Sequence, residues 1–141
     1  MRTVEAGQQI PEWSLPLTPT TIVSTAIATR DWQDVHHDRD VAQAAGSKDI
    51  FMNILTTNGL VEKFVVDWLG HDAELKGIAI RLGAPAHPYD TLTFSGTVAD
   101  VSEGVATIEV VGRVSLGDHV TGAVRVATPV VEPVETHRPA Q

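Results

Sequence analysis

The chain has 141 residues, of which 43% are hydrophobic and 20% charged, and its formal net charge at neutral pH is −8. This length and composition predict one globular domain with a single core. The ten Lys and Arg residues are scattered, which argues against a nucleic-acid partner because phosphate binding needs clustered cations. The chain contains no cysteine, which excludes disulfides, thiolate catalysis and cysteine-ligated metals.

The sequence offers no candidate for membrane insertion. No apolar run is long enough to cross a bilayer, and the first residues lack the hydrophobic segment of a signal peptide. Together with the absence of cysteine, this predicts a cytoplasmic protein with no membrane partner.

The amino-terminal part is predicted to be irregular apart from one strand. Residues 1–17 contain a glycine and two prolines that interrupt regular structure, so we predict an irregular lead-in there. Residues 21–27 are rich in β-branched side chains and roughly alternate in polarity, which is typical of a strand. A loop with many ionisable side chains, residues 31–38, follows.

Two helices are predicted next. Asp38 or Asp40 can cap a short helix that runs to Ala45, and Gly46 stands where a helix often has a C-terminal glycine. Residues 53–69 give the stronger signal, because their apolar residues recur mostly at three- and four-residue spacing. These residues cover more than one narrow stripe, which indicates a well-buried helix.

Four strand-like runs complete the domain: 75–84, 91–101, 105–115 and 119–128. Short turn-forming links join the last three runs, which predicts that these three form an antiparallel meander. Because all four runs follow the helix, we predict a four-stranded meander in total. Residues 129–141 contain three prolines and few apolar residues, which predicts a disordered tail.

A sheet with one long helix must bury that helix against one of its faces. We therefore predict an α+β fold in which an antiparallel sheet bends around a central helix. The free edge of such a sheet favours pairing with a second copy or a related subunit.

The most informative stretch is Asp31-Trp32-Gln33-Asp34-Val35-His36-His37-Asp38, with three carboxylates and two imidazoles in eight residues. Acid–base chemistry needs a carboxylate and an imidazole within reach of one proton or one water. On an α-helix, residues five apart lie about 140° from each other. Asp31 and His36 can therefore cooperate only if Asp31 lies on irregular backbone before the helical turn.

Other ionisable residues have structural explanations. The adjacent residues His36, His37 and Asp38 lack a metal-binding spacing, so no metal is predicted. His37 and Asp38 are assigned to structural roles. The three remaining histidines of the domain are expected at the surface: His71, His87 and His119.

The order of elements and the charged loop resemble the MaoC-like hot-dog proteins, which include the R-specific enoyl-CoA hydratases. The family signature Asp-x-Asn-Pro-x-His-x-Asp corresponds to residues 31–38, with Gln33-Asp34 in place of Asn-Pro, and residues 81–94 are similar to the family's strand–Pro–Gly-Asp-x-Leu turn. The resemblance covers about residues 20–128. It implies a single hot-dog domain over residues 1–128.

Within this family, several segments are similar to the small hydratase subunit of actinobacterial cholesterol side-chain degradation: 22–25, 28–31, 33–38, 46–51 and 116–120. The resemblance implies an enoyl-CoA hydratase subunit that acts on a steroid side-chain enoyl-CoA. It also implies a hetero-oligomer with a longer MaoC-domain subunit, with a homodimer as the alternative. No cofactor is implied, since CoA is part of the substrate.

The resemblance assigns the catalytic dyad to Asp31 and His36, and it leaves open which of them takes the first proton. The family has Asn-Pro where this chain has Gln33-Asp34, so Asp34 could compete with Asp31 as the base.

The family's oxyanion donor is a backbone N–H near the start of the central helix. The resemblance therefore implies that Asn53, Ile54 and Leu55, at the start of the predicted central helix, bind the substrate. The usual His-Gly pair is Asn53-Ile54 here, and a backbone donor survives such a change of side chain.

Two other functions remain open from the sequence. A hot-dog thioesterase would use the same carboxylate to direct water at the thioester carbonyl. A non-catalytic subunit would only complete the fold and pocket of a partner, although the presence of both Asp31 and His36 argues against it.

Overall fold

The computed structural model describes residues 1–129. In chain order, the elements are β1 (Gln9–Pro16), α1 (Pro19–Ala28), a 3₁₀ turn (Asp34–His36), α2 (Arg39–Ala44), α3 (Ile54–Leu69), β2 (Leu75–Leu82), β3 (Thr91–Ser102), β4 (Val105–Val114) and β5 (Gly117–Ala127). The predicted disordered tail lies outside the described residues except for Pro129.

The five strands form one antiparallel sheet in the order β1-β3-β4-β5-β2. The meander of β3, β4 and β5 is confirmed. The four-stranded meander is wrong, because β2 pairs with β5 at the far edge and not with its neighbour in sequence. The link over residues 83–90 is longer than a tight hairpin, so it does not force β2 and β3 to pair.

The prediction of an irregular lead-in is wrong for its second half. Residues 9–16 form β1, an edge strand that pairs with β3. The pairing register shifts between Ile10 and Trp13, and Pro11 lies within this irregularity. Proline is tolerated at such a place, because it lies on an edge strand next to a bulge.

The strand predicted at residues 21–27 is also wrong, because these residues belong to α1. Thr18 caps the helix by accepting the Thr21 N–H at 3.0 Å, and Pro19 stands at the first helical position, which favours its fixed backbone angle. Ile22 and Ala26, four residues apart, face the core. Capping and burial therefore override the β-branched composition.

The two predicted helices are confirmed. Asp38 caps α2 by accepting the Val41 N–H at 3.2 Å, and Gly46 follows the helix with a φ of 95°, which favours glycine. α3 covers the long apolar stretch and ends before Gly70.

The core lies between α3 and the sheet. Phe94 of β3 is fully buried, and its ring stacks on Phe64 of α3 and on Trp13 of β1, each at a centroid distance of 5.6 Å. Truncating such a phenylalanine to alanine costs about 3–5 kcal/mol. α3 is thereby fixed with its amino terminus beside the charged loop. None of the helices within residues 1–129 is long and apolar enough to cross a membrane.

Candidate active site

Asp31 lies on irregular backbone just after α1. Arg30 has a φ of 55°, a left-handed conformation, and its N–H donates to Ile27 O at 3.0 Å. The Asp31 N–H then donates to Ala26 O at 2.9 Å. This pair of hydrogen bonds closes the helix as a Schellman motif and turns the chain toward α3. Asp31 is thus placed before the helical turn, as cooperation with His36 requires.

His36 lies in the 3₁₀ turn, and only 6% of the residue is exposed. Its Nδ1 lies 2.7 Å from Phe51 O, and since a carbonyl oxygen only accepts, Nδ1 carries a hydrogen. The other nitrogen, Nε2, lies 3.2 Å from Asp31 Oδ2. The fold therefore brings the two predicted dyad residues into direct contact and leaves Nε2 as the nitrogen that can exchange a proton.

Asn53 holds Asp31 from the other side. Its Nδ2 donates to Asp31 Oδ2 at 3.2 Å and to Thr29 Oγ1 at 2.8 Å. The hydrogen bond from Asn53 is the largest influence on the pKa of the Asp31 carboxyl and lowers it below the usual value. Partial burial opposes this shift, and the Gln33 N–H and His36 reinforce it. Asp31 is accordingly ionised at neutral pH.

The same asparagine caps α3. Asn53 Oδ1 accepts the Thr56 N–H at 3.1 Å and also the Thr56 hydroxyl. The N–H groups of Ile54 and Leu55, in the first turn, have no intrahelical acceptor. Such groups, together with the helix dipole, favour an oxygen that gains negative charge.

A cavity of about 410 Å³ opens between the dyad and the end of β2. It is lined by Asp31, Gln33, His36, Phe51, Met52, Ile54, Leu82, Gly83, Ala84, Pro85 and His119. Its volume is in the range of small-molecule sites, which are mostly apolar with a few convergent polar groups. The predicted dyad and one of the three predicted binding residues, Ile54, line this cavity. The Asn53 side chain is 1% exposed, and its polar atoms bind protein groups.

Two of the histidines expected at the surface are buried. His87 is 5% exposed, and its Nδ1 donates to Ile50 O at 2.9 Å, while His119 is 2% exposed and lines the cavity. His71 has an exposed side chain, as expected. Sequence alternation could not identify His119, because a register shift between β4 and β5 makes two consecutive residues, His119 and Val120, face inward.

Asp34, the alternative base, lies outside the candidate active site. Its side chain is 63% exposed, and its Oδ1 lies 3.5 Å from His37 Nε2. Neither Asp34 nor His37 lines the cavity. Within residues 1–129, no group of three or more His, Asp or Glu side chains is arranged to hold a metal ion.

Comparison with known proteins identifies the family of this chain. The profile of the family described as MaoC like domain matches residues 3–120. The chain belongs to the MaoC-like family. It is also 59% identical, over 86% of its length and 94% of the relative's, to the 3-oxo-4,17-pregnadiene-20-carboxyl-CoA hydratase beta subunit of Mycobacterium tuberculosis.

Solved structures show the same architecture. A chain of the ChsH1-ChsH2 complex from Mycobacterium tuberculosis superposes with a TM-score of 0.88 at 56% identity, covering 90% of this chain and all of that one. The (R)-hydratase from A. caviae involved in PHA biosynthesis superposes with a TM-score of 0.82 at 20% identity, covering 92% of this chain and all of that one. The predicted α+β hot-dog fold is confirmed.

Proposed function

We propose that this MaoC-like chain is a subunit of an enoyl-CoA hydratase and that Asp31 and His36 are its catalytic residues. The contact of 3.2 Å between Asp31 Oδ2 and His36 Nε2, at the wall of a cavity, carries the proposal. The relative named as a CoA-thioester hydratase subunit supports the reaction class. Its name also supports a steroid side-chain enoyl-CoA as the substrate.

The dyad would act on one water molecule held between Asp31 and His36. The water oxygen attacks Cβ of the trans-2-enoyl thioester while one of its protons passes to the dyad, and a proton is delivered to Cα. The net change is the addition of one water across the double bond, and the thioester stays intact. Because Phe51 O occupies Nδ1 of His36, proton exchange on the imidazole runs through Nε2.

The first turn of α3 would bind the thioester oxygen. This oxygen gains negative charge as the double bond shifts, and the free N–H groups of Ile54 and Leu55 would stabilise it. Ile54 lines the cavity beside the dyad. Asn53 contributes to this binding by fixing the turn, and no cofactor is required because CoA arrives with the substrate.

The chain would work with a longer MaoC-domain subunit, and a homodimer is the alternative. β1 and β2 are the edge strands of the sheet, so each offers unpaired backbone groups to a partner. Two large apolar residues that line the cavity are exposed, Ile54 at 51% and Leu82 at 38%, and so is Leu55, next to Ile54, at 53%. The similar chain in the ChsH1-ChsH2 complex supports a heteromer. We place this assembly in the cytoplasm.

Product analysis tests the reaction. The full chain with its MaoC-domain partner is incubated with 3-oxo-4,17-pregnadiene-20-carboxyl-CoA, and the products are identified by mass spectrometry. A 3-hydroxyacyl-CoA with an intact thioester is expected. Release of free CoA without hydration would instead establish the thioesterase.

Single substitutions test the dyad. Asp31→Asn and His36→Gln are each expected to lower kcat by roughly 10²-fold or more. Exposed His71 provides a matched control, and His71→Gln should leave turnover unchanged. Full turnover in both dyad variants would favour a non-catalytic subunit.

Light scattering tests the assembly. The molar mass of the chain alone is compared with that of the chain expressed beside a MaoC-domain partner. A single species that contains both chains, with the summed mass of the two or a whole multiple of it, is expected. A homodimer in both samples would overturn the heteromer.

A further inference from the structure

A β-bulge at the start of β5 lies at the cavity that Asp31 and His36 also line. Gly112 pairs with Val120 and Arg113 pairs with Asp118, so His119 is an extra residue of β5 without a partner on β4. A bulge of this kind takes a side chain out of the regular alternation and is over-represented beside active sites. His119 thereby lines the same cavity as the dyad.

Both ring nitrogens of His119 are hydrogen-bonded, each to a different part of the fold. Nδ1 lies 2.7 Å from Ala84 O and must carry a hydrogen, because a carbonyl oxygen only accepts. Nε2 lies 2.8 Å from Thr57 Oγ1 on α3. Burial lowers the pKa of His119, which favours the neutral ring. Nε2 therefore accepts the hydrogen of the Thr57 hydroxyl.

Thr57 connects this ring to the first turn of α3. Its N–H donates to Asn53 O at 3.2 Å, and its hydroxyl lies 3.4 Å from the same oxygen. Ile54 and Leu55 lie between Asn53 and Thr57 in that turn. A movement of Thr57 would therefore change the direction of their free N–H groups.

The cavity wall at residues 83–85 is hydrogen-bonded to the backbone at His119. The N–H groups of Gly83 and Ala84 donate to His119 O and Asp118 O, each at 2.8 Å. A Cβ atom at Gly83 would collide with Asp118 O, so only glycine allows this close approach. The wall at residues 83–85 and the start of β5 thus form one unit, and the His119 ring joins that unit to α3.

We propose that His119, through Thr57, is a positioning residue that sets the first turn of α3 against the wall at residues 83–85. In this role it aims the Ile54 and Leu55 N–H groups at the thioester oxygen. The inference rests on the proposed function, since it assigns these N–H groups to the thioester. With both nitrogens engaged, His119 exchanges no proton with the substrate.

Thr57→Val tests this link, because it replaces the hydroxyl with a methyl group of similar shape and leaves Nε2 without its partner. A misplacement of about 1 Å can cost 10²-fold in rate. We expect kcat for hydration of 3-oxo-4,17-pregnadiene-20-carboxyl-CoA to fall about 10- to 100-fold with KM within about 3-fold of the wild type. Thr57→Ser keeps the hydroxyl and should restore most of the rate. Thr20→Val, at an exposed threonine of α1, is the matched control.

The infrared band of a bound thioester gives a readout that needs no turnover. Butyryl-CoA has no double bond to hydrate, and hydrogen bonds to its thioester oxygen lower the C=O stretching frequency. The wild type and Thr57→Ser should lower this frequency, and Thr57→Val should lower it less. If Thr57→Val does not fold, His119→Asn replaces it, because its amide retains a donor for Ala84 O and loses the contact with Thr57.

The two readouts separate this inference from the proposed function. Wild-type kcat and an unchanged band in Thr57→Val, even with reduced stability, would overturn the role of His119, as would a wild type that leaves the band unshifted. If hydration is lost in Asp31→Asn but kept in Thr57→Val, the proposed function stands and the role of His119 does not. If the wild type has no hydratase activity but its band shift is lost in Thr57→Val, the role of His119 stands and the proposed function does not.

Discussion

Asn53 donates its side-chain amide to Asp31 Oδ2 across 3.2 Å, and the carbonyl oxygen of the same side chain caps α3. One buried residue thus joins the carboxylate of the dyad to the helix terminus proposed to bind the thioester oxygen. Asn53 is 1% exposed, so water does not compete for these hydrogen bonds. The charge on Asp31 and the geometry of the helix turn consequently depend on the same side chain.

Replacing Asn53 should move the acid limb of the pH–activity profile. Asn53→Ser keeps an oxygen for the Thr56 N–H but has no amide to donate to Asp31, so the pKa of Asp31 should rise. The acid limb of kcat/KM then moves to higher pH. Asn53→Asp should move it further, because it places a second carboxylate beside Asp31. The profiles are measured with the assembled hydratase, and coincident profiles for all three proteins would contradict this coupling.

Asp34→Asn should leave turnover within about 2-fold of the wild type, whereas Asp31→Asn should lower it by about 10²-fold. The Asp34 side chain is exposed and lies outside the cavity lining, whereas Asp31 lines the cavity and is the proposed catalytic carboxylate. Steady-state kinetics on the same substrate compare the two variants directly. A larger loss in Asp34→Asn than in Asp31→Asn would make Asp34 the base.

The buried ring of His119 should make the protein less stable in mild acid. Burial lowers its pKa in the folded state below the ordinary 6.5, so the unfolded chain binds more protons between the two values. The free energy of unfolding therefore falls as the pH drops below about 6.5. Asp31, Asp72 and Asp90 have lowered pKa values, and their contribution is lost only at pH values below the ordinary 3.8.

Urea unfolding at about pH 7.5 and about pH 5 measures this effect. His119→Phe should be less stable than the wild type at the higher pH and should show a smaller loss on acidification. His71→Gln, at an exposed histidine, should keep the loss of the wild type. An equal loss in His119→Phe and the wild type would exclude His119 as the source.

Arg30 adopts a left-handed conformation, with a φ of 55°, at the position where glycine commonly ends a helix. This conformation costs an L-residue about 1–2 kcal/mol, and glycine avoids that cost but loses about 0.5–1 kcal/mol of chain entropy. Arg30→Gly should therefore keep or slightly raise the free energy of unfolding. Arg30→Val should lower it by about 1–2 kcal/mol, since a β-branched residue fits this conformation poorly. Thermal unfolding measures both, and a stabilising Arg30→Val would show that the turn is unstrained.

Much of the fold follows from local sequence patterns. The helix at residues 53–69, the short helix after Asp38 and the last three strands are found where spacing and turn residues predict them. The errors in element type concern residues 9–27, where the sequence predicts an irregular segment and then a strand, and the structure has β1 and then α1. There a threonine cap, a proline at the first helical position and the pairing of β1 with β3 outweigh local propensity.

The sequence by itself determined the MaoC-like signature, the central helix and the candidate dyad, because these depend on residue type and on short spacings. The tertiary structure decided which ionisable groups meet. Asp31 touches His36 only because a left-handed Arg30 turns the chain after α1, and His119 lines the same cavity because a bulge shifts the register of β5. Such contacts depend on backbone turns and on strand pairing between residues far apart in the chain. A local pattern of polar and apolar residues does not reveal such turns or such long-range pairing.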